Sequence, residues 1–252
     1  MGHLPEGQPF HRTLGNITPS QMAHSQYNYR DTLDRLVQSD TNWLDIGCGH
    51  TILPEWLRDS IPFQKKLLAR CRLARGYDPV DDRPHVAGLI KEVSPGCSLP
   101  FEDGLFNLVT ANMVVEHVAD PVPFAREIHR VLKTGGLFVA HTSNLLYFEY
   151  FAAKILPNSV ARVVAHHLDE REYDDIFPAY YRINTRSAFK RLPGFRINAL
   201  ECVTTGPKYK KIPMLNWIES GMIHLANLPG LHDLRSDWIA VLQKVDLNSP
   251  SA

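Results

Sequence analysis

The sequence has no excess of either charge. Its 27 Lys and Arg residues are balanced by 27 Asp and Glu residues. Proteins that bind a phosphate backbone or an anionic surface usually carry a basic excess, so nucleic acid is not expected as a partner. One short basic run consists of Lys208, Lys210 and Lys211 around Tyr209. A run this short is typical of a solvated loop.

Long apolar runs are also missing. No stretch approaches the roughly 20 apolar residues that a membrane-spanning helix needs, and segment 1–21 lacks the charged-then-apolar pattern of a secretory signal. We therefore expect a cytoplasmic protein without stable membrane insertion.

The sequence has few cysteines and no Cys-x-x-Cys pair, which argues against a structural zinc site and against a disulfide framework. His166 and His167 are adjacent, so they cannot share one face of a helix as metal ligands. We expect no metal. The four cysteines are expected to be small apolar fillers, and they are Cys48, Cys71, Cys97 and Cys202.

Apolar segments of strand length alternate with helical patterns between Asn42 and Val245. This order predicts an α/β fold, a mostly parallel sheet with helices on both faces. A chain of 252 residues with 44% hydrophobic residues is long enough for one such domain. The candidate strands are 43–47, 73–78, 88–93, 106–111, 136–142, 195–203 and 238–245.

One helix has clear sequence boundaries. Asp120 can cap it, Pro121 suits its first position, and Gly135 can end it.

Three stretches outside the alternation are too long for plain connections, and we expect them to cover the ends of the sheet. The resulting single domain 1–252 has an N-terminal cover at 1–39, a cofactor-binding core at 42–143, a lid at 144–183 and a second insertion at 206–236.

A Gly-x-Gly turn, Gly47-Cys48-Gly49, follows the first strand. Glycine removes the Cβ atoms that would block a ligand, and the helical pattern at 52–58 predicts a helix start with free N–H groups nearby. The third glycine of the dinucleotide fingerprint would fall at Ile52, which disfavours a pyrophosphate. A nicotinamide-dependent oxidoreductase is therefore the alternative and not the first interpretation.

The second strand ends at Asp78, in Gly76-Tyr77-Asp78-Pro79. A carboxylate at this place accepts hydrogen bonds from ribose hydroxyls in nucleotide-binding α/β folds. Asp78 is therefore predicted to bind a ribose, although a plain turn residue before proline would look the same.

Taken together, these segments resemble the class I S-adenosylmethionine-dependent methyltransferases, and among them the type 11 group. The resemblance runs from about Asn42 to Asn144. It is carried by LDIGCG at 44–49, YDP at 77–79, LPFEDGLFNLV at 99–109, ANMVVEHV at 111–118 and REIHRVLKTGGLFVAHTSN at 126–144.

The resemblance implies a Rossmann-like seven-stranded sheet with an antiparallel last strand, and S-adenosylmethionine as cofactor. It also implies methyl transfer to a small-molecule acceptor, at oxygen or nitrogen. The implied cofactor residues are Asp45, Gly47 and Gly49 for the methionine end, Cys48 within the same turn, Asp78 for the ribose, and Asn112 with Met113 for the wall beside the adenosine and sulfonium.

One departure from the family pattern concerns adenine. Similar proteins carry an Asp shortly before the LPF element, where this chain has Pro95-Gly96-Cys97-Ser98. Adenine recognition then falls to backbone groups or to Ser98. A cofactor-binding fold without turnover is kept as a second alternative for this reason.

Methyl transfer by in-line displacement asks the protein to align the reactants and exclude water, and a base helps when the acceptor is a hydroxyl. His117, just beyond the fourth strand, is the first candidate for this base, with a packing role as the alternative. Tyr180, Tyr181 and Arg182 in the lid combine flat rings with polar tips and suit an aromatic or glycosylated acceptor. They could equally belong to a packed lid.

Segment 212–231 is apolar at helical spacing. Burial against the domain is the favoured interpretation, and a lipophilic entrance or a dimer contact are the alternatives. The sequence identifies neither the acceptor nor an oligomeric state.

Overall fold

A single mixed sheet forms the centre of the computed structural model, which describes residues 25–94, 98–155, 178–207 and 212–246. The strands are β1 (Asn42–Ile46), β2 (Leu73–Asp78), β3 (Lys91–Val93), β4 (Phe106–Asn112), β5 (Leu132–Ser143), β6 (Phe195–Val203) and β7 (Asp237–Lys244). Their order is β3-β2-β1-β4-β5-β7-β6, and β7 alone runs antiparallel to its neighbours. The predicted sheet, with its antiparallel last strand, is confirmed.

Helices cover both faces of this sheet, as predicted. Successive residues of β1 point to opposite faces, so Leu44 packs with Ile128 in one core while Trp43 packs with Leu33 in another. The helices described are α1 (Ser25–Leu36), α2 (Ser60–Arg70), α3 (Pro121–Val131), α4 (Phe148–Ile155), α5 (Arg186–Lys190) and α6 (Pro213–Ala226). Residues of α3 and α5 join the first core, and residues of α1 and α2 join the second.

The segment after the glycine turn is not the helix that its pattern predicted at 52–58. Residues 51–59 form turns, and α2 begins only at Ser60. Pro54 has no N–H to donate and disfavours the helical conformation at the residue before it. Ile52 and Leu57 are nevertheless buried in the core, so their apolar spacing reflects packing and not a helix.

Two further boundaries differ from the prediction. Helix α3 begins as expected, with Asp120 accepting a hydrogen bond from the N–H of Val122 at 3.1 Å, but it ends at Val131. Leu132 already pairs with β4, and Gly135 lies inside β5 with a φ of 76°. Strand β3 is limited to three residues, because Gly88 adopts a φ of 81° and breaks the extended run.

Helix α6 corrects the prediction that segment 212–231 is buried. Its inner face, with Glu219, Ile223 and Ala226, is buried, whereas Met214 and Trp217 on the opposite face are 70% and 78% exposed. The segment is apolar around most of its circumference, so periodicity alone could not decide which face packs inward.

Several predictions concern segments outside the described residues. These are residues 1–24 of the N-terminal cover, 95–97 before Ser98, 156–177 of the lid with His166 and His167, and the basic run within 208–211. In the part of the chain that is described, no helix is long and apolar enough to span a bilayer. The division into one domain with a core, a lid and a second insertion stays a prediction.

Candidate functional site

The candidate site lies at the carboxyl edge of the parallel strands, where the strand order reverses between β1 and β4. Register pairs Ile46 at the end of β1 with Tyr77 of β2 and with Ala111 of β4, and pairs Asn112 with His141 of β5. Loops after β1, β2 and β4 therefore meet at one edge, the usual ligand position in open α/β sheets.

The glycine turn after β1 has the backbone that its sequence predicted. Gly47 and Gly49 have φ values of 64° and 49°, a region that favours glycine. A Cβ atom on Gly47 would lie 2.4 Å from Cγ2 of Val114, which follows β4. The turn thus packs directly against the residues after β4, and a side chain at position 47 would separate them.

Asp78 ties the loop after β2 to this turn. Its Oδ2 accepts a hydrogen bond from the N–H of Gly49 at 2.9 Å. Its Oδ1 accepts from the N–H groups of Val80 and Asp81, at 2.9 and 2.8 Å. The carboxylate therefore positions the glycine turn, in addition to any ribose it binds.

Lys91 is a site residue that the sequence analysis missed. Its side chain is only 7% exposed, and Nζ donates hydrogen bonds of 2.7 Å to the carbonyl oxygens of Gly49 and Asp81. Hydrogen bonds from Arg83 are the main reason that the pKa of Asp81 is held well below its usual range, and Lys91 adds to this. A lone lysine in a short edge strand was the one available signal, and it is also the usual pattern of a solvated edge.

Asp45 is a buried acid inside β1. The residue is 2% exposed, and its Oδ1 accepts a hydrogen bond from the hydroxyl of Thr110 on β4. The indole N–H of Trp43 donates to the same hydroxyl at 2.7 Å. Burial raises the pKa of Asp45 to about 7, although the hydrogen bond from Thr110 opposes this shift. Asp45 can therefore change charge near neutral pH.

Cys48 contributes to the turn through its backbone. Its side chain is buried, and burial raises the pKa of its thiol well above the usual range. The thiolate that nucleophilic chemistry requires is thus disfavoured. Sγ would lie 2.6 Å from a Cβ atom at Gly76, so the thiol packs between β1 and β2 as the predicted apolar filler.

Asn112 and Met113 end β4 beside the glycine turn. Nδ2 of Asn112 donates to the carbonyl oxygen of Ile52 at 2.9 Å, and its Oδ1 lies 2.8 Å from Nδ1 of His141. Met113 has a φ of 55°, rare for a residue with a side chain, and its N–H donates to the carbonyl oxygen of His141 at 2.7 Å. The structure therefore holds this turn in an uncommon backbone conformation.

The residues described so far surround the glycine turn and form a first group. His117 and the end of the lid segment form a second group. His117 ends the short helix Val115–His117, and its Nδ1 lies 2.9 Å from the carbonyl oxygen of Pro178. The N–H groups of Tyr180 and Tyr181 both donate to the carbonyl oxygen of Glu116, at 2.7 and 3.0 Å. The structure thus brings Tyr180 and Tyr181 next to the predicted base.

The two groups are linked through Val114. This residue touches Gly47 in the first group, and its carbonyl oxygen accepts the N–H of His117 at 2.9 Å. Two predicted residues, Ser98 and Arg182, have exposed side chains, and no hydrogen bond among the described residues ties either of them to these groups. No three His, Cys, Asp or Glu side chains among the described residues come together as a metal-binding group.

Comparison with known proteins gives a consistent result. The family model described as a methyltransferase domain matches residues 22–190, more than half of the chain. A ubiquinone/menaquinone biosynthesis C-methyltransferase of Geobacter sp. (strain M21) is 37% identical over 90 residues, covering 32% of this chain and 38% of that enzyme. A ubiquinone biosynthesis O-methyltransferase of Methylobacterium sp. (strain 4-46) is 31% identical over 147 residues, covering 53% and 55%. In both cases the match spans less than two thirds of the relative's own length.

Solved structures agree on the fold. An S-adenosylmethionine dependent methyltransferase from Mesorhizobium loti has a TM-score of 0.53 to this chain and 16% sequence identity, over 88% of this chain and 99% of that one. Because the identity is this low, the likeness concerns the fold alone.

Proposed function

The chain belongs to the class I S-adenosylmethionine-dependent methyltransferases, and from this membership we propose that it methylates an oxygen or nitrogen atom of a small molecule, with His117 as the base. The family match favours this interpretation over the nicotinamide-dependent alternative. Ile52, in place of a third glycine, is consistent with that choice.

The residues at the site fit this cofactor. Among the described residues, a Cβ atom at Gly49 would meet only Asp81 within 4 Å, at 3.6 Å, so these residues leave the space above the glycine turn open. The buried carboxyl of Asp45 suits the cofactor's ammonium group, and the carboxylate of Asp78 suits ribose hydroxyls. When bound, S-adenosylmethionine supplies a methyl group on a positively charged sulfur.

The observation that supports His117 as base is its contact with Pro178. A carbonyl oxygen can only accept a hydrogen bond, so Nδ1 of His117 carries the proton in this contact. In the neutral ring Nε2 then has the lone pair, which is the form that a general base needs. Nε2 could take the proton of an acceptor hydroxyl as the hydroxyl oxygen replaces sulfur on the methyl carbon, with S-adenosylhomocysteine as the leaving group.

The neighbouring lid residues support a small-molecule acceptor. Tyr180 is 42% exposed, and the ring of Tyr181 lies 6.2 Å from that of Tyr150, centroid to centroid. Tyr181 has a φ of 52°, a rare conformation that its N–H bond to Glu116 holds in place. The backbones of Tyr180 and Tyr181 lie next to the residue that precedes His117, and flat rings at such a place can orient a flat acceptor for attack.

The proposal is tested with cofactor labelled in its methyl group, incubated with the full chain and a metabolite extract, followed by chromatography of labelled products. The variant His117→Asn keeps a side-chain N–H for Pro178 but has no basic nitrogen. We expect it to lower turnover about 10²-fold to 10⁴-fold, the usual contribution of a general base, while cofactor affinity changes by less than about threefold.

The matched control is His129→Asn on α3, whose ring contacts the carbonyl oxygen of Val245; it should keep full turnover. Full turnover by His117→Asn would contradict the assignment of the base. A wild-type protein that binds the cofactor but labels no product would contradict the proposed acceptor class.

A further inference from the structure

A buried polar cluster joins α1 to the carboxyl ends of β4 and β5. We call it the Asn112 cluster, and it consists of the side chains of Gln26, Tyr29, Asn112 and His141 with the carbonyl group of Ile52. Gln26 is 6% exposed, and Tyr29 and His141 are fully buried. None of these residues other than Asn112 was predicted to belong to the site.

The orientation of Asn112 in this cluster follows from one contact. The carbonyl oxygen of Ile52 can only accept, so the atom 2.9 Å from it must be the amide nitrogen of Asn112. That nitrogen also donates to Oε1 of Gln26 at 3.0 Å, while Oδ1 accepts from Nε2 of Gln26 at 3.1 Å. The remaining partner of Oδ1 is Nδ1 of His141, which therefore donates. The polar atoms of Asn112 are thus engaged within the protein.

His141 holds the turn after β4 from two sides. Its ring bonds to the side chain of Asn112, and its backbone carbonyl accepts the N–H of Met113. These bonds hold Met113 at its positive φ, a conformation that persists only when its surroundings enforce it.

Helix α1 contacts both Asn112 and His141. Gln26 and Tyr29 are three residues apart and therefore lie on one face of the helix. Gln26 pairs with Asn112, and the ring of Tyr29 stacks on that of His141, with centroids 5.2 Å apart and an interplanar angle of 21°. The helix therefore braces the turn through two separate side chains.

The position of this turn relative to Asp78 indicates why the turn is held in place by α1. Strand β1 lies between β2, which carries Asp78, and β4, which carries Asn112. If the ribose binds at Asp78, as in the proposed function on which this inference rests, a cofactor lying across the glycine turn extends toward β4. Val114, which follows the braced turn, already contacts Gly47.

We propose that Gln26 and Tyr29 of α1 position the turn at Asn112 and Met113, the turn that the family resemblance places beside the adenosine and sulfonium of the cofactor. Gln26 and Tyr29 are positioning residues in this arrangement, because they act through Asn112 and His141. Their loss should disturb the cofactor at its methylated sulfur more than at its adenosine.

Calorimetry with two ligands tests this without knowledge of the acceptor. S-adenosylmethionine carries the methyl group and the positive sulfur, and S-adenosylhomocysteine lacks both. We expect Gln26→Ala to weaken S-adenosylmethionine about tenfold, as expected from a small misplacement, and S-adenosylhomocysteine by less than about threefold. The ratio of the two dissociation constants is the readout, since a general loss of structure would weaken both ligands together.

Two control variants and a second test variant accompany the measurement. Gln38→Ala removes an exposed glutamine that donates to the carbonyl oxygen of Arg35, and it should leave the ratio unchanged. Tyr29→Phe keeps the ring stack and should also leave it unchanged, whereas Tyr29→Leu should shift it as Gln26→Ala does. If Gln26→Ala fails to fold, the comparison of Tyr29→Phe with Tyr29→Leu still tests the positioning role of α1.

The outcomes separate this inference from the proposed function. Binding of both ligands to the wild type, with an unchanged ratio in Gln26→Ala and Tyr29→Leu, overturns the positioning role alone. A wild-type protein that binds neither ligand overturns the proposed function, and this inference with it.

Discussion

The affinity for S-adenosylmethionine should depend on pH through Asp45. Burial raises the pKa of this carboxyl to about 7 in the protein without ligand. If Asp45 binds the cofactor's ammonium group, only its ionised form is competent, so affinity should fall as the pH decreases through about 7. The ammonium group itself has an ordinary pKa near 8, so affinity should also fall above that pH.

The size of the effect follows from the fraction ionised. A group with a pKa of about 7 is roughly nine-tenths ionised at pH 8 and roughly one-tenth ionised at pH 6, a difference of about tenfold. Because an ammonium group with a pKa near 8 is only about half protonated at pH 8, affinity should fall about fivefold from pH 8 to pH 6, or about 1 kcal/mol. The free energy of unfolding without ligand has the opposite dependence on pH. A carboxyl with a raised pKa favours the folded state most below its unfolded pKa near 4, and this contribution is lost as pH rises through about 7.

Calorimetry at pH 6, 7 and 8, in buffers of different ionisation enthalpy, measures both the affinity and the protons released. We expect release of close to one proton per cofactor at pH 6. Thr110→Val removes the hydrogen bond that favours the ionised form and should move the midpoint above 7, whereas Thr110→Ser keeps the hydroxyl and should leave it in place. Affinity that is constant from pH 6 to 8, without proton release, would refute the assignment of Asp45 to the ammonium group.

Two further predictions concern the ribose and the acceptor. Asp78→Ala should weaken binding of S-adenosylmethionine by roughly 1.5 to 3 kcal/mol, because two ribose hydroxyls lose charge-assisted bonds and the glycine turn loses its hydrogen bonds to the carboxylate; unchanged affinity in calorimetry would contradict both roles. Tyr181→Ala and Arg182→Ala should each lower turnover by roughly one to two orders of magnitude, while cofactor affinity changes by less than about threefold. A loss of several degrees in melting temperature, with weaker binding of both the acceptor and the cofactor, would instead indicate a packing role for these residues.

The sheet could be predicted because its signals are local. Short apolar runs at regular intervals identified all seven strands, and Gly47 and Gly49 identified the turn by the absence of side chains. The helix predicted at 52–58 failed because apolar spacing was given more weight than Pro54. The boundary at Gly135 failed because strand pairing with β4 begins before the glycine.

Contacts between segments that are distant in the sequence could not be predicted from local signals. The amide pair of Gln26 and Asn112 joins residues 86 positions apart, and Lys91 reaches Gly49 across 42 positions. Neither residue type indicates its partner, because glutamine and lysine are most often solvated. Such contacts depend on the order of β3, β1 and β4 in the sheet and on the packing of α1 against it.

Three unfavourable features meet at that edge, and each has a physical cost in the protein without ligand. Asp45 is a carboxyl buried inside a strand, Met113 holds a backbone conformation that costs on the order of 1–3 kcal/mol, and Gly47 surrenders more chain entropy than a residue with a side chain. A sequence selected for stability alone would place an apolar residue at 45 and relax the turn at 113. Their concentration where β1 and β4 adjoin, around the glycine turn, is the pattern expected when stability is exchanged for binding. From the chain's own energetics we therefore expect the ligand at this edge of the sheet, which is also where the family resemblance implies that the cofactor binds.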